Sequence, residues 1–406
     1  MQPSRREAFR FWLRLGLISF GGPVAQIAIM HRELVDLRRW FDERTFMHAL
    51  NLCILLPGPE ALQLAIWLGW RLHGAIGGIV AGLCFILPAM ALLLGLSFVN
   101  ALHGDVPLVA AVLAGLKATV IALIIHALAR IARRALLRPL HWLLAAAALL
   151  LMVGRLAPFP LVLAGAALLG MLTRSDGAPR AAAAPLTFPW RTLATGFVLW
   201  ALPAAAIIAT AGPRSLFAEI YRFFTTAALV TFGGAYAVLA WVNQQAVEVQ
   251  GWLTQAEMVA GLALAETTPG PLIIVLQFVG FMAGWNHAAG ADAPVTATIA
   301  AMISSWAIFL PSFVFILVGA PYVERLSSNA RLAGALAGVT AAVVGVIGSL
   351  ALAFGRTVLF PAGLAAPDWA AIAIAAAALA ILAFTRLDVL WVIAGGAAVG
   401  LAFGFV

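Results

Sequence analysis

One sequence pattern occurs twice in this chain, and this repeat constrains the fold more than any other feature. Pro-Gly-Pro at 57–59 recurs at 269–271, 212 positions further on, and Trp40 recurs as Trp252 at the same offset. A Phe-Gly-Gly sequence upstream of each copy keeps that offset as well. Three landmarks in one register, without a gap over about forty residues, indicate a duplicated unit. The chain is therefore predicted to fold as two related halves.

The composition identifies the environment of the two halves. Hydrophobic residues make up 64% of the 406 residues, and charged residues make up 10%. Because soluble domains carry roughly 25% charged residues, the chain is predicted to be an all-α polytopic integral membrane protein. The net charge of +8 comes from arginines in short loops beside apolar stretches, where they set membrane orientation. It therefore does not indicate a nucleic-acid partner.

Two apolar stretches in each half are interrupted by glycine and proline. In the first half, the stretch 10–30 is broken at 21–23 and the stretch 46–70 is broken at 57–59. Roughly 10 helical residues cross half of a bilayer core of about 30 Å, and the pieces of the second stretch have about that length. Each broken stretch is therefore predicted to be a re-entrant hairpin with its tip near mid-membrane. The alternative is a continuous span with a proline kink.

The remaining segments complete a two-repeat organisation. Residues 1–172 and 213–406 are each predicted to hold two broken hairpins followed by four transmembrane helices, and 173–212 holds a polar linker and an extra transmembrane helix. The loop 31–45 contains four arginines, whereas its counterpart 243–256 contains no Lys or Arg. Under the positive-inside rule, these loops face opposite sides of the membrane. The halves are therefore predicted to be inverted repeats, with a cytoplasmic N-terminus.

These landmarks resemble the chromate ion transporter family. The resemblance rests on Phe-Gly-Gly-Pro at 20–23 and Pro-Gly-Pro-Glu-Ala at 57–61, each followed by a glutamine, and on the matching motifs at 231–234 and 266–271. It covers nearly the whole chain. The resemblance implies a multi-pass carrier of the bacterial inner membrane that exports chromate and confers chromate resistance, with sulfate as the structural analogue of the substrate.

The interrupted helices create candidate anion sites by geometry alone. A helix that restarts after a break presents unpaired N–H groups and the positive end of its dipole, and such N-termini bind anions without any side chain. Two inverted halves would bring up to four helix starts near the midplane, where inverted-repeat transporters bind substrate. The alternative is that the glycines serve close helix packing. The predicted substrate-binding residues are Gly21, Gly22, Pro23, Gln26, Pro57, Gly58, Pro59, Gln63, Lys117, Gly233, Gly234, Thr267, Thr268 and Gly270. The hydroxyls of Ser19 and Thr231 are predicted as further hydrogen-bond donors.

Lys117 is the only lysine of the chain and lies near the middle of an apolar segment. A central lysine costs about 2.5–3.5 kcal/mol on insertion scales, so it needs an anionic partner or a polar cavity. Thr340 takes its place in the second half, so the repeat does not require a cation there. The two interpretations are contact with the substrate anion and a structural ion pair, for which Glu60 and Glu266 are the embedded carboxylates.

Glu60 and Glu266, each beside a Pro-Gly-Pro break, are candidate coupling or gating residues. A carboxylate beside an anion site repels the ligand unless it is protonated or paired. Each glutamate therefore carries a coupling proton, pairs with Lys117 or, at Glu60, caps a helix start. Arg14 is a third candidate, which either faces the anion or extends to the interface. His126 is predicted to be an interfacial or satisfied helix residue.

The predicted function is chromate export driven by the membrane potential, with proton coupling as an option. A divalent anion leaving the cell gains about 4.6 kcal/mol per 100 mV of inside-negative potential, which sustains a gradient of roughly 10³. The alternatives are a sulfate or oxyanion importer or exchanger on the same fold, and an anion channel. An enzyme is disfavoured, because the sequence shows no nucleophile–base pair, metal spacing or nucleotide-binding loop. The predicted partners are chromate or sulfate and the lipid bilayer, without a cofactor; a homodimer is one open oligomeric state.

Overall fold

Every regular element in the described part of the chain is a helix. The computed structural model describes residues 3–172, 189–288, 292–319, 330–385 and 387–404, and no strand occurs in these ranges. The predicted all-α class is therefore confirmed. Most of the polar linker predicted to begin at 173 lies outside the described residues.

The helices of the first half end and restart where glycine and proline interrupt the apolar stretches. They are α1 (Arg5–Ile18), α2 (Gly22–His31), α3 (Glu43–Leu55), α4 (Glu60–His103), α5 (Pro107–Ala135), α6 (Pro139–Val153) and α7 (Phe159–Met171). The 44 residues of α4 are bent at His73 and Gly74, where Gly74 has φ 65°. A straight helix of that length would be about 66 Å long, so the bend divides α4 into a short first arm and a membrane-length second arm.

The second half follows the same order after one extra helix. Its helices are α8 (Trp190–Ala211), α9 (Leu216–Val230), α10 (Ala235–Asn243), α11 (Gln255–Glu266), α12 (Val275–His287), α13 (Ala293–Gly319), α14 (Ala330–Leu359), α15 (Trp369–Phe384) and α16 (Val389–Gly404). A 3₁₀ turn, Leu272–Ile274, leads directly into α12. The extra helix predicted between the halves is α8.

Five of these helices are long and apolar enough to cross a membrane. They are α4, α5, α8, α13 and the part of α14 over Ala333–Leu359. Five shorter apolar segments, of 10–17 residues, add to them. This set of helices supports a polytopic membrane protein.

The repeat seen in the sequence continues in the local backbone structure. A π-helical turn, Arg32–Leu37, extends α2, and an equivalent turn, Gln244–Val249, extends α10 at the offset of 212. Trp40 and Trp252 follow these turns, and each donates its backbone N–H back into its turn at 2.8 Å. The segments 31–45 and 243–256, which were predicted as loops, are partly helical. In each of them, π-helical hydrogen bonds continue the preceding helix.

The two halves are packed into one another. In each half the first helix packs against a long later helix: α1 against α4, and α9 against α13. By contrast, α5 packs against α15 and α16 of the second half, while α14 packs against α6 and α7 of the first. Small residues allow this close approach, as between Gly115 of α5 and Gly400 of α16, and between Gly338 of α14 and Gly170 of α7.

Candidate functional site

Four helix starts surround one cavity of about 310 Å³. The helices α2 and α10 reach it through Gly22 and Ala235, α4 through Glu60, and the 3₁₀ turn before α12 through Leu272. We call this space the helix-start cavity. Unpaired N–H groups and positive dipole ends therefore meet around one space, which is an arrangement that attracts an anion.

Glycines shape the backbone at two of these helix starts. Gly21 and Gly234, which precede α2 and α10, have φ values of 85° and 94°, in the left-handed region that side-chain-bearing residues rarely adopt. No side chain caps α2 or α10. Their first N–H groups therefore stay accessible to a ligand.

The start of α4 is also free of a side-chain cap. Its N-cap residue is Pro59, and no side-chain hydrogen bond caps the first turn. The capping role considered for Glu60 therefore does not occur in this structure. Glu60 is already the first residue of α4, whereas a capping side chain belongs to the residue before it, which here is Pro59.

Two equivalent backbone hydrogen bonds join the breaks of the two halves. The N–H of Gly58 donates to the carbonyl oxygen of Thr231 at 2.8 Å, and the N–H of Gly270 donates to that of Ser19 at 2.8 Å. Donors and acceptors are each related by the offset of 212. Each Pro-Gly-Pro break is therefore tied to the Phe-Gly-Gly break of the other half. We call these contacts the Gly58 junction and the Gly270 junction.

A buried glutamine lies at each junction. Gln26 donates from Nε2 to the carbonyl oxygens of Gly270 and, at 3.1 Å, of Ser19. Gln63 donates from Nε2 to the carbonyl oxygen of Pro57 at 2.7 Å. Within the described residues, the Oε1 atom of neither glutamine has a hydrogen-bond partner. The two amides thus hold the broken backbone and keep a free acceptor beside it.

One face of α5 brings cations to the helix-start cavity. His126, Arg130 and Arg134 all line it, and their spacing of four residues places them above one another on the helix. Sequence reasoning used the arginines only to set membrane orientation and did not predict them as site residues. The signal that could have identified them is this i, i+4, i+8 spacing.

Glu60 and Glu266 both line the same cavity. Tyr236, which follows the break before α10, donates a hydrogen bond from its hydroxyl to Glu266 Oε1. No side-chain partner of Glu60 occurs among the described residues. The repeat equivalents of the two glutamates, Leu272 and Ile54, line the cavity too. Because those positions are apolar in the other half, the fold itself does not require either carboxylate.

Lys117 lies outside the helix-start cavity. It is half-buried on α5 and makes no ion pair within the part of the chain that the structure describes. Glu60 and Glu266 line the helix-start cavity, which Lys117 does not reach, so neither glutamate is the ion-pair partner expected from the sequence. The reason is helical geometry: nine residues separate Lys117 from His126, which corresponds to two and a half turns and the opposite face of α5.

Three other predicted residues also lie apart from the cavity. The hydroxyls of Thr267 and Thr268 both donate to the carbonyl oxygen of Leu264, at 2.7 and 2.8 Å. Arg14 lies on the exposed face of α1. Of the predicted residues, those lining the cavity are Gly21, Gly22, Pro23, Glu60, Gly233, Gly234 and Glu266. Those at the two junctions or directly beside them are Gln26, Pro57, Gly58, Pro59, Gln63 and Gly270.

Comparison with known proteins gives consistent matches over most of the chain. The family model described as "Chromate transporter" matches residues 6–171 and 218–401. A chromate transport protein of Pseudomonas aeruginosa is 36% identical over 84% of this chain and 79% of its own length. A chromate transport protein of Cupriavidus metallidurans is 28% identical over 98% of this chain and 92% of its own. No solved structure matches.

Proposed function

Because the chain belongs to the chromate transporter family, we propose that it exports chromate from the cytoplasm and thereby confers chromate resistance. The protein is a membrane transporter of chromate, not an enzyme. We further propose that it spans the bacterial inner membrane as two inverted repeats with a cytoplasmic N-terminus. The contrast in loop charge and the equivalent bonds at the Gly58 and Gly270 junctions support this arrangement.

The observation that carries the proposal is the meeting of four helix starts and two arginines at one cavity. Chromate is a tetrahedral dianion, so its oxygens accept hydrogen bonds in several directions at once. Backbone N–H groups of α2 and α10 supply neutral donors, and Arg130 and Arg134 supply charge-assisted ones. Four arginines lie within residues 130–138, Arg130 and Arg134 among them, and the positive-inside rule assigns this end of α5 to the cytoplasm. The cavity therefore receives its anion from the cytoplasm.

The membrane potential favours export. A dianion that leaves the cell gains about 4.6 kcal/mol per 100 mV of inside-negative potential, which needs no ATP and no obligatory coupling ion. Import of chromate or sulfate through the same site would have to move at least two protons merely to neutralise the charge. Voltage alone therefore suffices for export but not for import.

Protonation of a cavity glutamate adds a second influence on the anion. A charged carboxylate beside a dianion opposes binding, and its protonation removes that repulsion. Glu266 is held by the Tyr236 hydroxyl, whereas Glu60 has no such partner among the described residues. Glu60 is therefore the residue proposed to exchange a proton during transport.

The experiment is a flux measurement on purified protein in proteoliposomes, with the pH gradient and the voltage set independently. Radiolabelled chromate is expected to move toward the positive side without ATP, with sulfate as a competitor. Movement of sulfate without chromate would instead support an oxyanion importer or exchanger. Unitary current steps in planar bilayers would indicate a channel, because a carrier gives none.

A further inference from the structure

We propose that Lys117 is the anion-binding residue of a second, outward-facing cavity, which receives chromate from the helix-start cavity before release. The inference rests on the proposed function, because it concerns the other end of the same transport path. It assigns to the two ends of α5 two separate cationic binding positions for one substrate.

The helices α5 and α14 are equivalent in the two halves. An offset of 223 relates Leu113-Ala114-Gly115 to the same three residues at 336–338, and it relates Lys117 to Thr340. In α14, Leu336 and Thr340 line the helix-start cavity. Under the repeat, the corresponding positions of α5 are Leu113 and Lys117. The face of α5 that carries Lys117 is therefore the counterpart of a cavity-lining face.

A second cavity lies at the N-terminal end of α5. It has a volume of about 260 Å³, and Leu113 and Leu116 line it together with Thr267. We call it the Leu113 cavity. Lys117 does not line the Leu113 cavity in this structure, but it lies four residues after Leu113 and therefore on the same side of the helix, one turn further along. The Leu113 cavity and the helix-start cavity lie at opposite ends of α5, so they face opposite sides of the membrane.

Positive charge is distributed unequally between α5 and α14. The equivalents of Arg130 and Arg134 in α14, at the offset of 223, are Ala353 and Thr357. Exchange of the two halves between their conformations would therefore build an outward cavity that lacks both arginines. Lys117 is the cation that α5 places on the corresponding face. Without it, the dianion would meet a strong cationic site on one side only.

The ammonium group of Lys117 is not held by a carboxylate of the described residues. The helix α11 packs against α5 and carries Glu257, but the Glu257 carboxylate is already bound at the start of α11. Its Oε2 accepts the N–H of Thr254 at 2.6 Å and the Thr254 hydroxyl at 2.9 Å. A buried lysine needs a polar cavity or a partner, and within the described residues Lys117 has no bonded partner. Its ammonium group is therefore available to an anion.

These observations together describe alternating access. In inverted-repeat transporters, each half can take the conformation of the other, and this exchange opens the path to the opposite side of the membrane. The helix-start cavity, as it stands here, corresponds to the cytoplasm-facing state. In the outward state, Leu113, Leu116 and Lys117 take the arrangement that Leu336, Val339 and Thr340 have here.

Side-specific chemical labelling tests this assignment. In a variant with both native cysteines replaced (Cys53→Ala, Cys84→Ala) and chromate flux retained, Lys117→Cys and Thr340→Cys are treated with a membrane-impermeant anionic thiol reagent. We expect Lys117→Cys to react only from outside and Thr340→Cys only from the cytoplasmic side, with chromate slowing both reactions. Reaction of both cysteines from one side would overturn the proposal, and so would a Lys117→Cys protein that transports chromate but never reacts.

A functional variant provides the second measurement. Lys117→Thr introduces the residue that the other half uses at this position, so the fold is expected to tolerate it. In exchange experiments, the KM for chromate entering from outside should rise about tenfold, the loss of one charge-assisted contact, while the KM from the cytoplasmic side stays unchanged. Equal effects on both sides, or none, would show that Lys117 serves no outward site. Wild-type flux tests the proposed function separately, so the two failures are distinguishable.

Discussion

The backbone N–H of Gly58 donates a hydrogen bond to the carbonyl oxygen of Thr231, 2.8 Å away. The repeat equivalents, Gly270 and Ser19, make the same bond at the same length. Reciprocal contacts of this kind arise when two copies of one unit meet about a two-fold axis. The contact joins the two halves through backbone atoms next to the helix starts, so changes at these glycines are expected to affect transport directly.

The first prediction concerns Gly58. Gly58→Val is expected to abolish chromate flux while the protein still inserts into the membrane. Gly58 has φ 125°, and an added Cβ would lie 2.6 Å from Gln63 Nε2 and 2.7 Å from Ser312 Oγ. The measurement is flux in proteoliposomes, normalised to folded protein. Gly95→Ala is the control, because Gly95 is a helical glycine of α4 with nothing within 4 Å of its added Cβ. Normal flux from Gly58→Val would assign the glycine to helix packing alone.

The second prediction concerns the arginines of α5. Replacing Arg134 or Arg130 with glutamine should weaken chromate binding from the cytoplasmic side about tenfold each, through loss of a charge-assisted contact. The control is Arg133→Gln, which removes the same charge from an exposed neighbour that does not line the helix-start cavity. The KM of chromate on each side of the membrane is the measurement. An equal effect of Arg133→Gln would show general attraction by surface charge instead of binding in the cavity.

The third prediction concerns pH. Chromate flux through Glu60→Gln should depend less on pH than wild-type flux, because the amide removes a group that must lose its charge beside the dianion. Glu266→Gln should retain the wild-type pH dependence, since the Glu266 carboxylate is held by the Tyr236 hydroxyl. Flux is recorded at a fixed voltage over a series of symmetric pH values. A flat profile for Glu266→Gln with an unchanged profile for Glu60→Gln would reverse the assignment.

The fourth prediction concerns topology. Cysteines at the equivalent positions Asp36 and Glu248, which follow the offset of 212, should be labelled from opposite sides, Asp36→Cys from the cytoplasm. A cysteine at Asp42, in the same loop as Asp36, would be a poorer probe because it would remove a helix cap. The Asp42 carboxylate caps α3 by accepting the N–H of Thr45 at 2.7 Å, a bond that also lowers the Asp42 pKa. Labelling of both cysteines from one side would contradict the inverted-repeat arrangement.

Much of the helix layout could be predicted from the sequence, because glycine and proline mark helix ends by local chemistry. The helices restart at Gly22 and Glu60 in the first half and at Ala235 and Leu272 in the second, each within a few residues of the predicted break. The extra helix α8 was predicted from its apolar composition, as a segment without a repeat partner. These features depend on neighbouring residues along the chain.

The composition of the site was predicted less completely, because it depends on which face of each helix meets the cavity. Lys117 lies on α5, but its position along the helix does not define the direction of its side chain, which is on the side of α5 opposite to that of His126. Arg130 and Arg134 look like ordinary loop-proximal cations in the sequence. Only the packing of α5 beside the breaks of both halves brings them to the helix-start cavity.

The most direct test of the account is to locate chromium in the protein. Crystals of the full-length chain soaked with chromate can be measured at the chromium absorption edge, where anomalous scattering marks the metal centre of the anion. The account predicts a peak in the helix-start cavity, between the first turns of α2 and α10 and within reach of Arg130 and Arg134. At the same chromate concentration, the peak should be weaker in the Arg134→Gln variant. The absence of a peak in the helix-start cavity, with a peak elsewhere in a protein that transports chromate, would contradict the assignment of the four helix starts as the substrate site.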